Sequence, residues 1–369
     1  MGTARSPIGI LYCIDSLPPT GGTEGQLAGL IERLDRSQFR PHLCTIKQTG
    51  ATRPLTDCPR LSLNVPELAS GRTLAAALKL RDYLKIERIQ IVHSFFQDAT
   101  VFSQWTARWA GIPVRLGSLR DMGFWREPKI EFLMRHTYPL LSALVANSHA
   151  VKARFMQLDH LDPRRIRVVP NGVDATAFAF HAQGPEPPVV LFLGNLNRKV
   201  KRPDLFLSAA TMLAPRYPQV LWLIVGDGQF RPELEAMARD LGLGRRVVFA
   251  GRHTDVSPFL ARAAIGVNCS DSEGFSNSVL EYMLAGCAVV ATAVGGTQEL
   301  IRHDENGSLV KPNDTEALAG AIDRLLAEPE RAIRLRATAR QSVESGFSWE
   351  RSCSSHQDLY RELLEHTQR

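Results

Sequence analysis

Strand-length apolar runs alternate with helix-length amphipathic ones along almost the whole chain, and that alternation leaves few folds open. In the first half the apolar runs are 8–14, 42–46, 89–93, 114–118, 143–146 and 166–169, with helical spacing over 24–34, 74–84 and 100–110. In the second half they are 189–193, 220–225, 247–249, 265–268 and 288–291, separated by helical stretches such as 204–213 and 231–241. Strand–helix repetition of this kind predicts parallel sheets covered on both faces. Between the halves lies His181-Ala-Gln-Gly-Pro-Glu-Pro-Pro188, which its prolines and glycine mark as a linker. The expected fold is α/β, with two Rossmann-like, doubly wound parallel-sheet domains facing across a cleft. The expected boundaries are 1–180, 181–345, and a C-terminal helix over 346–369 that packs back on the first domain. A chain of 369 residues is long enough for two such cores.

Composition removes several classes of function. No apolar run approaches the roughly 20 residues that span a bilayer. The run Ile8–Ile14 is strand-sized and lacks a small-residue cleavage site, so no signal peptide is expected. Met1-Gly2-Thr-Ala-Arg-Ser6 matches the N-myristoylation pattern, a short pattern that chance often satisfies, and no modification is expected. The six cysteines are scattered, with no Cys-x-x-Cys pair, and read as small core residues in a reducing cytoplasm. Net charge is +6, all of it carried by the first half, since the second half is slightly acidic. Such a basic surface suits an anionic membrane or a lipid phosphate. Nucleic acid is not an expected partner, because no recognisable nucleic-acid module occurs.

The chemistry concentrates in Asp271-Ser-Glu273-Gly-Phe-Ser-Asn-Ser-Val-Leu-Glu281. A buried strand precedes it, and helical spacing begins at Asn277. A strand, a turn and a helix N-terminus aim backbone N–H groups and the positive helix end at one point, which suits a diphosphate. Glu273 would stand at the mouth of that site, and Glu281, two turns into the helix, would reach hydroxyls. Ala288–Ala291 followed by Gly295-Gly296-Thr-Gln-Glu299 repeats the unit. Two such units in tandem point to the carboxyl edge of a parallel sheet, where open α/β sheets bind ligands.

With these residues in order, the chain resembles the GT-B glycosyltransferases, specifically the retaining family 4 group. The markers are Gly21-Gly22-Thr23-Glu24, Val169-Pro-Asn171-Gly172-Val-Asp174, Gly194-Asn-Leu, Val225-Gly226-Asp-Gly228, and Glu273 with Glu281. The resemblance implies sugar transfer from a nucleotide-activated donor with retention of anomeric configuration. It implies no obligatory metal or other cofactor, and a donor held mainly by the second domain.

Site residues follow from the resemblance position by position. Gly21 and Gly22 would bring amides to the donor diphosphate, since glycine lets backbone approach a ligand. His93, closing a strand, would lie near the reacting sugar. Lys201 would stabilise the charge that develops on the departing diphosphate. Here the chain departs from the family, which has Gly-Arg-Leu, three residues and a lysine. Asn195 stands where the arginine is expected and the lysine lies one residue further on. Arg198, Lys199, Lys201 and Arg202 therefore compete, with Lys201 the first choice and Arg198 the second. Glu281 would bind the donor ribose and Glu273 a sugar hydroxyl, while Gly274, Phe275, Ser276 and Asn277 line sugar and phosphate. Arg252, with His253, falls where the nucleobase is expected, and Glu299 reads as a helix-start residue. No metal-binding pattern is evident.

The acceptor is expected on the first domain. Asp15, at the end of the first strand, is a candidate base or acceptor ligand, with helix capping as the alternative. Residues 105–135 set Trp105, Trp109, Phe124 and Trp125 among Arg108, Arg115, Arg120, Arg126, Lys129 and Arg135. Aromatics beside cations fit a membrane interface or a lipid-diphosphate acceptor, although many such aromatics are core. Phe124-Trp125-Arg126 is the expected exposed patch, because Gly123 precedes it and Pro128 follows. The expectation is thus a metal-independent retaining glycosyltransferase, using a UDP- or GDP-sugar and a glycan or lipid-linked glycan. Its expected place is the cytoplasm, in peripheral contact with an anionic membrane. The alternatives are a sugar-nucleotide epimerase on the same architecture, or a non-catalytic relative that binds nucleotide sugars.

Overall fold

The computed structural model describes residues 6–47, 50–65, 67, 71–180 and 186–367. Gly2 of the myristoylation pattern and residues 181–185 of the expected linker lie outside the described residues. The chain divides into two compact units, Met1–Gly172 with Trp349–Arg369, and Val173–Ser348. The division falls after Gly172, whereas the sequence reading put it at 180. The reason is local. Val173, Ala175 and Phe178 pack on the second unit's core, and the Val173 N–H donates to the Phe347 carbonyl at 2.9 Å.

The described residues of the first unit form a parallel sheet of β1 (Ile8–Ile14), β2 (Phe39–Thr45), β3 (Arg60–Ser62), β4 (Ile89–Ser94), β5 (Val114–Leu119), β6 (Ala143–Ala146) and β7 (Ile166–Val168). Their order is β3-β2-β1-β4-β5-β6-β7, so the strand order reverses between β1 and β4. Both faces are covered, by α1 (Gly22–Arg33), α2 (Arg72–Ile86), α3 (Gln97–Ala110), α4 (Pro128–Thr137) and α5 (His149–Asp159), with the final helix of the chain, Trp349–Thr367, on the α1 side. That last helix is admitted by two glycines. A Cβ at Gly29 or Gly172 would lie 2.3 or 2.5 Å from the Trp349 indole. The Arg33 guanidinium covers the same ring at 5.0 Å.

The second unit carries β8 (Val189–Leu193), β9 (Leu221–Val225), β10 (Val247–Gly251), β11 (Ile265–Asn268), β12 (Ala288–Thr292) and β13 (Ser308–Val310). Their order, β10-β9-β8-β11-β12-β13, reverses between β8 and β11. Helices α6 (Pro203–Leu213), α7 (Arg231–Asp240), α8 (Ser257–Leu260), α9 (Asn277–Ala285), α10 (Thr297–Leu300), α11 (Thr315–Ala327) and α12 (Pro329–Gly346) complete it, and the last helix of the chain is α13. Tyr282 of α9 lies flat on Gly266, where a Cβ would stand 2.3 Å from the ring. Its hydroxyl accepts from Leu193 N–H at 2.6 Å and donates to the Val267 carbonyl at 3.3 Å. These bonds hold α9 against β8 and β11. The edge strands β3 and β13 were absent from the sequence reading, because three residues are too few to show a period.

Candidate functional site

In the second unit the loops after β8 and β11 leave the sheet where the strand order reverses, the position at which open α/β sheets bind ligands. The Asp271 N–H donates to the Val200 carbonyl at 2.8 Å and ties the two loops together. Glu273 is 7% exposed. Its Oε1 accepts from Lys201 Nζ at 2.6 Å, Ser270 Oγ at 2.7 Å and Asn268 Nδ2 at 3.0 Å. Burial pushes this carboxyl up, but the Lys201 charge and the hydrogen bonds from Asn268, Lys201 and Ser270 outweigh it. The net effect holds it below the usual carboxylate range, so Glu273 is an anion at neutral pH.

The second glycine turn serves the first. The Gly296 N–H donates to the Glu273 carbonyl at 3.2 Å, and Thr292 Oγ1 donates to the Ser270 carbonyl at 2.5 Å. Ser276 caps α9, its Oγ accepting from Val279 N–H. Gly274, Phe275, Ser276 and Asn277 therefore form the entry from loop to helix. The Phe275 side chain is buried against Phe347, with ring centroids 5.4 Å apart. Glu281 follows in the second turn and has no hydrogen-bond or ion-pair partner among the described residues. Burial pushes its carboxyl up to about 7.

The four competing cations separate cleanly. Arg202 is bound to Asp204 at 2.8 Å, to Asp271 at 3.1 Å, and to Asn313. Lys199 Nζ sits over the Phe230 ring at 5.1 Å, and Arg198 is exposed at the start of a short 3-10 turn. Lys201 is the one of the four paired with Glu273. Asn195 is exposed and its Oδ1 accepts from Asn197 N–H at 2.8 Å, closing a turn. Arg252 and His253 are exposed after β10.

The first unit treats its expected site residues differently. Gly21, at φ 149, starts α1, but the Glu24 carboxylate folds over it, with an added Cβ only 2.3 Å from Oε2. The approach expected to serve a diphosphate at Gly21 and Gly22 already faces a carboxylate. His93 is fully buried, with Nδ1 2.8 Å from the Tyr360 hydroxyl and Nε2 2.9 Å from Ser118 Oγ. Tyr360 continues to the Tyr12 hydroxyl at 3.1 Å. Burial, then His356 and Arg120, hold this imidazole well below its usual value, so it is neutral. Both ring nitrogens are occupied inside the unit. Asp15 accepts from Ala99 N–H at 2.9 Å in the first turn of α3, which is the capping alternative. Burial pushes Asp15 up to about 6 against the pull of Lys47.

The expected Phe124-Trp125-Arg126 patch is corrected. Phe124 is exposed, but Trp125 stacks on Phe155 at 6.4 Å. Arg126 is held by Asp159 at 2.7 Å and Glu131 at 2.6 Å, which raise its pKa further. Acids 5 and 33 residues away in sequence draw this segment inward. Among the described residues of this unit, the other exposed aromatics are Trp105, Trp109 and Phe132. Sequence reasoning also missed Asn268, Ser270 and Tyr360. For Asn268 a signal existed, a polar residue ending an apolar strand. For Tyr360 none did. All six cysteines are buried and unbridged.

Residues 187–328 match the model for glycosyl transferases group 1, and residues 20–177 match that for glycosyltransferase family 4. The chain is 32% identical over 226 residues to the lipopolysaccharide core biosynthesis glycosyltransferase LpsE of Rhizobium meliloti, covering 60% of this chain and 63% of that protein. It is 23% identical over 402 aligned positions, 99% of each chain, to the UDP-Gal:alpha-D-GlcNAc-diphosphoundecaprenol alpha-1,3-galactosyltransferase of Escherichia coli. The crystal structure of HepE from Anabaena with UDP and glucose shares the fold at a TM-score of 0.85 and 22% identity, over 96% of this chain and 100% of that one. Two parallel-sheet units, each matched by its own family model, make this chain a member of the group 1, family 4 glycosyltransferases with the GT-B fold.

Proposed function

We propose that the protein moves one sugar from a UDP- or GDP-sugar to a glycan or lipid-linked glycan, keeping the anomeric configuration. The observation that carries this reading is the Lys201–Glu273 pair at the β8/β11 reversal, followed on α9 by the unpartnered Glu281. In this reading the bond from the anomeric carbon to the donor phosphate oxygen breaks. The acceptor hydroxyl forms its bond on the same face, and its proton passes to the departing phosphate. Lys201, seconded by Arg198, meets the charge that grows on the leaving diphosphate. Glu273 orients a sugar hydroxyl and Glu281 the ribose, and no metal ion enters the scheme. The names of the R. meliloti and E. coli relatives support a glycan or lipid-diphosphate acceptor. The exposed Trp105, Trp109 and Phe132 near Arg108, Lys129 and Arg135 support peripheral contact with an anionic membrane. Among the described residues no helix is long and apolar enough to cross one.

Thermal unfolding against UDP-, GDP-, ADP- and CMP-sugars tests the donor site. A ligand at ~100 times its dissociation constant adds roughly 2.7 kcal/mol. Proton NMR of the product formed with a lipid-linked glycan then reads the anomeric configuration. An inverted product, or interconversion of sugar nucleotides with no acceptor present, would sink the reading.

Glu281 supplies a pH signature. Its pKa in the folded state, about 7, lies above its ordinary 4.5. Its contribution to stability is complete below pH 4.5 and is lost as pH rises through 7, because the folded state must then hold a buried charge. Relative to Glu281→Gln, the native protein should lose on the order of 2 kcal/mol between pH 5 and pH 8. UDP affinity should move the other way, because the carboxylate accepts ribose hydroxyls best when ionised. Glu281→Gln should weaken UDP binding about tenfold at pH 8 and much less at pH 6. A titration showing equal loss at both pH values would remove Glu281 from the ribose site.

A further inference from the structure

Among the described residues of the first unit, one cation has no carboxylate to neutralise it. Arg120 follows β5 and is half-buried. Its Nη2 donates to Asn171 Oδ1 at 2.6 Å, a neutral acceptor. Its Nε is buried with no partner. Among the described residues no carboxylate stands within ion-pair distance of it. Burial alone lowers its pKa, to about 10, with no acid pulling the other way. A half-buried charge without a counter-ion still costs stability, so its retention needs a reason.

The surroundings supply one. Arg120 lines two small clefts, both open to solvent. The first is walled by Gln97 and Thr100 of α3, by Ser118, and by Trp125. Trp125 Nε1 is a second buried donor without a partner. Gln97 and Thr100 bring the positive end of a fourteen-residue helix to the same wall. Asp121 is the acid in this wall, and its Oδ1 accepts from the Gly123 N–H at 2.7 Å. The second cleft is lined by Gln26, Asn171, Ser352 and His356 among others, and no carboxylate lines it. Two orphaned donors, a guanidinium and an indole N–H, are matched by a group that only accepts hydrogen bonds and carries negative charge.

We propose that Arg120 and Trp125 form a phosphate-ester site in the first unit, and that its occupant is a phosphate of the acceptor. The second half of that statement rests on the glycosyl-transfer reading above; the first half does not. Guanidinium binds phosphate in a fork geometry that a neutral side chain cannot copy. The chemistry fits a phosphate carried by a lipid or by a small soluble acceptor.

The test is isothermal titration of the full-length protein with methyl phosphate, and with a polyprenyl phosphate in detergent micelles, each with and without saturating UDP. Methyl phosphate should bind at one site that UDP leaves open. Arg120→Gln should weaken that binding at least about tenfold, and Trp125→Phe, which removes only the N–H, about threefold. Because Arg120→Gln relieves an unpaired, half-buried charge, its melting temperature should be equal to or above that of the native protein. Tighter binding of the polyprenyl phosphate supports the site with a lipid-borne source, and equal binding supports it with a soluble one. Displacement by UDP, or phosphate binding indifferent to both substitutions, overturns the proposal. A lower melting point for Arg120→Gln with unchanged phosphate binding overturns it too, by making Arg120 structural. Should UDP itself fail to bind, the transfer reading falls while the phosphate titrations still decide the site.

Discussion

Lys201→Met is expected to lower sugar transfer by about two to three orders of magnitude and to destabilise the second unit at the same time. On the proposed mechanism the catalytic loss follows from removing the cation that meets the leaving-group charge, and losses of about 10²–10³ are typical for one such contact. The stability loss has a separate origin. Glu273 is buried, and its strongest attraction is to the Lys201 ammonium at 2.6 Å. Without it, Asn268 and Ser270 still donate, but the carboxylate lacks a counter-charge. Breaking a buried pair from one side costs about 3 kcal/mol, which is a fall of roughly 5–10 °C for a unit of this size. The double substitution Lys201→Met with Glu273→Gln removes both charges and should recover most of the melting temperature but none of the turnover. Transfer kinetics and calorimetry on the two variants separate the effects. If Lys201→Met kept transfer within threefold of normal, Arg198 would take its place as the phosphate ligand.

Gly226→Ala is expected to prevent the second unit from folding, with a loss of at least about 4 kcal/mol. Gly226 has φ 146, and a Cβ there would lie 1.8 Å from the Gly194 carbonyl oxygen. The obstacle is backbone and cannot rotate away. It is also pinned, because Gly194 N–H donates to the Val225 carbonyl at 3.1 Å and Gly226 N–H to the Gly251 carbonyl at 2.8 Å. Three strand ends thus meet at one point, and from it Gly194 leads into the loop that delivers Lys201. Gly244→Ala is the control. It too has positive φ, at 51, but nothing lies within 4 Å of its Cβ, so it should cost only about 1 kcal/mol. Circular dichroism melts of both variants check this. A Gly226→Ala protein that melts with the native one would refute the close approach.

These two cases show how unevenly the chain advertises itself. The alternation of apolar and amphipathic runs predicts parallel α/β units because strand and helix periods are local properties. Glu273 and Glu281 are legible for the same reason, since the strand, turn and helix that carry them are continuous in sequence. Gly226 is visible as a glycine, but its reason is the carbonyl of Gly194, which belongs to another strand. The sequence offered Lys201 among four cations and could not separate them, because its partner is 72 residues away. It read His93 as a site residue, while Tyr360, 267 residues on, holds one ring nitrogen. It also read Trp125 and Arg126 as an exposed patch, which Phe155 and Asp159 turn inward.

The sequence by itself therefore determined the fold class, the two-unit organisation and the strand–turn–helix that bears the paired glutamates. Only the tertiary structure decided which cation meets Glu273, which donors are left without partners around Arg120, and where the chain passes from one unit to the other. The physical reason is range. Backbone periodicity is written among neighbours a few residues apart, whereas the pairing of a buried charge or ring nitrogen depends on what packing brings within about 3 Å of it.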